Sequence, residues 1–78
     1  MYPDGVWVSV SSSNVQAARR TAEGDLEVTF RAKGRQPART WRYPSAGRML
    51  ESLASAPSAG RFVKWVLRPA FGDGYEIT

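Results

Sequence analysis

Three cations and a tryptophan in the second half of the chain are the side chains best suited to bind an anionic ligand. Arg61, Lys64 and Arg68 follow one another at intervals of three and four residues, and Trp65 lies among them. On an α-helix this spacing places the cations on one face, with Trp65 at its border. Cations bind phosphates and an aromatic ring stacks on a nucleobase, so the group favours contact with single-stranded nucleic acid.

A second group alternates cations with aromatic rings, over Arg39, Trp41, Arg42 and Tyr43. We expect Arg39 and Arg42 to extend the basic surface. Trp41 and Tyr43 are spaced as on one face of a strand, and rings at such positions are more often buried than free to stack on bases. The candidate nucleic-acid-binding residues are therefore Arg39, Arg42, Arg61, Lys64, Trp65 and Arg68.

Positive charge is concentrated in the middle of the chain. Eleven Lys and Arg residues, nine of them arginine, oppose seven Asp and Glu residues, for a net charge of +4. No acid occurs between Glu27 and Glu51, and every charge between Glu51 and Asp73 is positive. This distribution favours an anionic macromolecule, with RNA or single-stranded nucleic acid as the first choice.

Protein binding is the alternative function. Tryptophan and arginine are also the residues that contribute most to binding at protein interfaces. A small basic module of this kind could be a phage or bacterial regulator that docks on an acidic surface of a host protein. The salt dependence of binding would separate the two possibilities, because phosphate contacts weaken steeply as salt is added.

The residue types argue against catalysis. The chain has no histidine and no cysteine, so a serine nucleophile lacks its usual base and the usual zinc ligands are missing. Glu23, Asp25 and Glu27 surround a turn, where acidic side chains are ordinarily solvated. No phosphate-binding loop or dinucleotide fingerprint is present. We therefore expect no enzyme activity, no cofactor, no metal and no small-molecule substrate.

Length and hydrophobicity limit the architecture. The 78 residues suffice for one domain with a modest core. No apolar run approaches the roughly 20 residues of a membrane helix, and the first residues do not resemble a signal peptide. We expect a cytoplasmic protein without a membrane partner.

Alternating apolar residues predict a small antiparallel sheet of three to four strands. Leu26, Val28 and Phe30 alternate with Glu27 and Thr29, so the apolar three should face the core and the polar two the water. The other candidate strands are 6–10, 15–20 and 38–43, and 75–78 is either an edge strand or a frayed tail.

Two apolar stripes predict a helical hairpin after the strands. Ser45 should cap the first helix, whose stripe is Ala46, Met49, Leu50, Leu53 and Ala54. Ser58 should cap the second, whose stripe is Ala59, Phe62, Val63, Val66 and Leu67, and Pro69 should end it. Strands followed by two helices packed on one face give an α+β fold.

The order of these segments resembles that of the KTSC domain family. Ser12-Ser13-Asn14-Val15 resembles the family's start, and the alternation from Leu26 to Phe30 is similar to its central strand. Trp41-Arg42-Tyr43 stands where the family has Tyr-x-Tyr, with tryptophan in place of the first tyrosine. The closing signature of the family is similar to Ala56-x-Ser58-x-Gly60-Arg61-Phe62, followed by Leu67-Arg68 and Phe71.

The resemblance implies a single KTSC-like domain over residues 1–78. Its core would span about 10–71, between a flexible N-terminal lead-in and a flexible C-terminal tail. The family is a short module that occurs alone in bacterial and phage proteins and at the C-terminus of some lysyl-tRNA synthetases. That context implies RNA binding.

Overall fold

The computed structural model describes residues 1–77, which form an antiparallel sheet of five strands in the order β1-β2-β3-β4-β5. Each strand pairs with its neighbour in sequence. The α+β class is confirmed, and the sheet has one strand more than the upper limit expected. The strands are β1 (Val8–Ser9), β2 (Val15–Arg20), β3 (Leu26–Phe30), β4 (Arg39–Tyr43) and β5 (Tyr75–Glu76).

The central strand β3 fixes the two faces of the sheet. Val28 pairs with Ala18 on β2 and with Trp41 on β4, and Leu26 pairs with Tyr43. Because side chains alternate along a strand, these residues share the face that packs against the helices. The prediction that Leu26 and Val28 are core residues is confirmed.

The outer strands differ in length from the prediction. β1 covers only Val8–Ser9, and Val6, expected on its apolar side, is 51% exposed. The pairing of β1 stops where the register of β2 shifts between Val15 and Ala17, which is the site of a bulge. At the other edge β5 pairs with β4, so the edge-strand alternative is correct for Tyr75–Glu76. Thr78 lies outside the described residues.

The first helix begins later than predicted. A 3-10 turn, Gly47–Met49, leads into α1, Leu50–Ser55, and neither has a side-chain cap at its start. Ser45 is not an N-cap: its φ is 63° and its N–H donates to Asp25 Oδ1 at 2.8 Å. The carboxylate of the β2–β3 turn therefore holds the backbone that the sequence pattern assigned to the helix.

The second helix is continuous but changes its winding. It consists of α2 (Ala59–Phe62), a π-helical turn (Val63–Leu67) and α3 (Arg68–Phe71), together called the C-terminal helix below. Its predicted cap is confirmed, because Ser58 Oγ accepts from the N–H of Arg61 at 3.4 Å.

Pro69 was expected to end the C-terminal helix, but the helix continues to Phe71 because the π-helical turn precedes the proline. Proline lacks an N–H, and its ring clashes with the carbonyl four residues earlier in an α-helix. Here Arg68 donates to Val63, five residues back, and this wider turn makes room for the ring. The helix ends at Gly72, whose φ is 91°.

The π-helical turn also leaves fewer residues of the C-terminal helix buried than the apolar stripe predicts. Ala59, Val63 and Leu67 are buried, whereas Val66, predicted to be in the core, is 42% exposed. All the described helices pack on the same face of the sheet. The core consists of Val10, Val15, Ala18, Leu26, Val28, Tyr43, Ala46, Leu50, Leu53, Ala59, Val63 and Leu67.

The N-terminal lead-in is attached to the fold by Arg20 and Glu51. The N–H of Gly5 donates to the carbonyl of Arg20 at 2.7 Å, and Tyr2 N donates to Glu51 Oε2 at 3.2 Å. Arg20 Nη2 also donates to Glu51, at 2.6 Å. Hydrogen bonds from its own backbone N–H and that of Tyr2, together with Arg20, lower the pKa of the Glu51 carboxyl.

Candidate nucleic-acid interface

A cleft of about 340 Å³ opens between the C-terminal helix and the region where β3 ends and β4 begins. Gly60, Lys64 and Arg68 form its helical wall. The hairpin loop between β3 and β4 forms the other side. Ligand sites have volumes of roughly 300 Å³ or more, so the cleft lies at the lower end of that range.

The floor of the cleft is apolar and partly aromatic. Phe30, Trp41 and Val63 line it. Trp41 and Phe30 lie on the helix-facing side of the sheet, but both are only partly buried because the C-terminal helix does not cover this end of β3 and β4. An exposed ring surface at the bottom of a cleft is available for stacking against a planar ligand.

Five cations surround this floor: Arg31, Lys33, Arg39, Lys64 and Arg68. Among residues 1–77, none of those that line the cleft is acidic. Within residues 1–77, Lys33, Lys64 and Arg68 make no ion pair, and Arg39 Nε is 3.9 Å from Glu76. Arg31 also has a structural role, because its Nε donates to the carbonyl of Ser12 at 2.7 Å. The positive charge of the rim is therefore largely free to meet a phosphate.

The hairpin loop contains two of these cations, Arg31 and Lys33. Its turn is closed by two backbone hydrogen bonds between Lys33 and Gln36, at 2.8 and 3.1 Å. Gly34, at the tip, has a φ of 55°, a conformation that glycine adopts without strain. The turn folds the loop back, so that Lys33, Gln36 and Pro37 all line the cleft.

Asn14 and Gly60 are in close contact at the other end of the cleft. A Cβ atom on Gly60 would lie 2.8 Å from Asn14 Nδ2 and 3.3 Å from Asn14 Cβ. The lack of a side chain at Gly60 therefore lets Asn14 pack directly on the C-terminal helix. Asn14 and Gln36 add side-chain amides to a lining that otherwise offers only cations as polar groups.

Arg68 connects the cleft to the core through Tyr43. The Tyr43 hydroxyl is fully buried and has no hydrogen-bond partner within residues 1–77. Burial raises the pKa of this phenol, and the nearby positive charge of Arg68 partly offsets the effect.

Arg42 lies on the opposite face of the sheet from the other candidate residues. It alternates with Trp41 and Tyr43, so it faces away from the helices. Its Nε is 3.3 Å from Glu27 Oε2, while Arg19 Nε donates to Glu27 Oε1. Glu27, predicted to face water, is only 2% exposed, because arginines from the two neighbouring strands cover it.

Arg61 and Trp65 also lie outside the cleft. They line a shallow groove on the outer side of the C-terminal helix, together with Pro57, Phe62 and Val66. Trp65 is 67% exposed, and Lys64 Nζ is 5.1 Å from its ring centroid. The structure thus brings Arg39, Lys64 and Arg68 together in the lining of the cleft and leaves Arg42, Arg61 and Trp65 outside it.

The sequence patterns missed part of the cleft. The strand spacing of Trp41 favours burial and does put the ring on the core face, but spacing does not show where the cover provided by the helices ends. Arg31 and Lys33 belong to the acid-free middle of the chain, and that signal could have identified them. No pattern in the sequence indicates a functional role for Phe30.

No family model matches the chain, and comparisons with curated proteins and with solved structures give no match. The similarity to KTSC domains remains a prediction. Among residues 1–77 no group of three or more acidic, histidine or cysteine side chains is placed to hold a metal ion. None of the helices in this part of the chain is long and apolar enough to cross a membrane.

Proposed function

We propose that the protein is a non-catalytic module that binds RNA or another single-stranded nucleic acid in the cleft beside the C-terminal helix. The observation that carries the proposal is the lining itself: in the described part of the chain, five cations and no acid surround a floor that contains Trp41 and Phe30. Single-strand binding needs a basic path for the backbone and rings for the bases.

The roles follow from position in the cleft. Lys64 and Arg68, on one wall, and Lys33 and Arg39, on the other, would contact phosphates. Trp41, between the walls, would stack on a base. Duplexes are less well suited to the site, because their bases are already stacked on one another and cannot reach the floor.

The test is the affinity of the full chain for a fluorescent oligouridine RNA of about 12 nucleotides, long enough for a single small site. Lys64→Glu with Arg68→Glu removes the net charge of +4 and should abolish binding at low salt. Trp41→Ala should weaken binding by about 5- to 150-fold, the range for losing one stacked base.

A matched pair of variants distinguishes binding in the cleft from a general effect of the protein's net charge. Arg48→Glu with Arg61→Glu changes the net charge equally, but neither residue lines the cleft. This pair should retain most of the affinity. Equal losses in the two charge-reversed pairs, or no binding by the unaltered chain, would refute the proposal.

Two broader assignments accompany this function as proposals. The order of motifs supports membership of the KTSC family, whose occurrence in synthetases is consistent with an RNA ligand. A cytoplasmic location is supported by the absence of cysteine and is where such a ligand would be met.

A further inference from the structure

The outer side of the C-terminal helix carries an exposed apolar patch, which we define as Pro57, Phe62, Trp65 and Val66. Trp65 is 67% and Val66 42% exposed, and Phe62 is partly buried beneath them. Together they line a shallow groove of about 310 Å³, and none of these four residues lines the cleft. A contiguous apolar patch of this kind on a protein surface often marks an interaction site.

The exposure results from the winding of the helix. With uninterrupted α-helical winding, Val66 would fall in the same stripe as Ala59 and Val63. The π-helical turn Val63–Leu67 keeps Val63 and Leu67 on the core and turns Val66 outward beside Trp65. Such turns are frequent at functional sites, because they reorient side chains at a cost in hydrogen-bond geometry.

The charges around the patch indicate which kind of partner would bind it. Arg61 lies in the groove, and Lys64 Nζ is 5.1 Å from the Trp65 ring centroid. Every charged residue between Glu51 and Asp73 is cationic. A second copy of the same patch would bring like charges together, whereas a partner with carboxylates beside apolar side chains would pair with them.

The composition of the groove favours a peptide segment over nucleic acid. Its lining contains one cation, Arg61, against five in the cleft, and most of the remainder is apolar. Phe62, Val66 and Pro57 offer no donor to a phosphate, but they fit the apolar side chains of a helix laid into a groove. We propose that this patch binds an acidic amphipathic segment of another protein, with Trp65 as its anchor and Arg61 and Lys64 as its charge contacts.

The test is selection from a library of random peptides of about 16 residues, a length that forms four helical turns. The intact chain is the bait, and Trp65→Ser with Val66→Ser is the counter-selection variant. Both substitutions are at exposed positions, and thermal unfolding of the variant checks that it folds. Enriched peptides should carry an excess of Asp and Glu and apolar residues at helical spacing.

Trp7→Ser is the matched control, because Trp7 is another exposed tryptophan, 42% accessible, whose ring lies under Arg19 on the opposite face of the sheet. Peptide affinity should fall at least tenfold in Trp65→Ser and stay unchanged in Trp7→Ser. The proposal is overturned if no peptide is enriched, or if enriched peptides lack acidic residues or ignore the Trp65 change. It is also overturned if Trp65→Ser weakens oligouridine binding as much as Trp41→Ala, since the patch would then belong to the nucleic-acid surface.

Discussion

At the scale of single residues, neighbours on adjacent strands decide what a side chain does. Arg39 and Arg42 lie three positions apart on β4 and carry the same charge. Arg39 lines the cleft, whereas Arg42 neutralises a buried carboxylate on the other face of the sheet. Alternation along β4 separates these two arginines, because Arg39 shares the face of Trp41 and Tyr43 and Arg42 does not.

This difference gives a paired prediction for Arg39→Met and Arg42→Met. Arg39→Met should weaken oligouridine binding and make the plot of log affinity against log salt shallower by about 0.7, the value for one phosphate contact. Arg42→Met should leave the affinity within about twofold, since that residue makes no phosphate contact. It should instead lower the melting temperature, because Glu27 then keeps only Arg19. Equal effects of both variants on RNA binding would contradict the assignment.

The buried hydroxyl of Tyr43 predicts how stability depends on pH. Its pKa is raised in the folded state, so the phenol favours folding fully below its unfolded pKa of about 10 and loses that contribution as pH rises through the folded pKa. The free energy of unfolding, measured in urea between about pH 9 and 11, should therefore fall. In Tyr43→Phe this fall should be smaller. At pH 7 the substitution should change the free energy of unfolding by less than about 1 kcal/mol, because the hydroxyl has no hydrogen-bond partner within residues 1–77.

At the scale of elements, the last strand depends on a glycine. Gly74 has a φ of 69°, and a Cβ there would lie 2.6 Å from the Arg42 carbonyl and 2.8 Å from the Tyr43 ring. The loop 72–74 therefore packs on β4 where β5 begins, and no larger residue fits.

Gly74→Ala should reduce the free energy of unfolding by about 2–4 kcal/mol, through overpacking and backbone strain together. Gly72→Ala is the control, since its φ is 91° but nothing lies within 4 Å of its Cβ position. Its ψ of 177° places it in a region that is nearly restricted to glycine, so the substitution should cost about 1–3 kcal/mol from strain alone. Chemical denaturation measures both, and equal losses would show that the contact with β4 does not matter.

The elements also show which features the sequence could predict. The alternation of Leu26, Val28 and Phe30 was sufficient for β3, because periodicity over five residues is a local property. The two residues of β5 are too few for a pattern, and its pairing depends on β4. Val66 was misplaced because the π-helical turn changes the period. The cleft could not be predicted as a whole, because its walls come from segments about 30 residues apart in the chain.

At the scale of the whole molecule, charge is separated between two sides of the sheet. The five cleft cations lie towards the C-terminal helix, while Glu23, Asp25 and Glu27 gather with Arg42 on the other side. The basic charge is thus presented in one direction, which a net charge of +4 does not convey.

This separation predicts the salt dependence of binding. If Lys33, Arg39, Lys64 and Arg68 each contact one phosphate, log affinity for single-stranded RNA should fall against log salt with a slope of about −2.8. Titration of the intact chain with sodium chloride measures the slope. A slope near zero would mean that phosphates do not occupy the cleft, whatever the affinity.

Lys64 belongs to both surfaces, since it lines the cleft and also lies over the ring of Trp65. One ammonium group cannot fully neutralise a phosphate on one side and a carboxylate on the other. The two ligands should therefore antagonise each other, and thermodynamic linkage makes that antagonism mutual: an acidic peptide weakens RNA binding by the factor by which RNA weakens peptide binding. In Lys64→Met the factor should approach one, so this lysine would make a small domain respond to one partner by releasing the other.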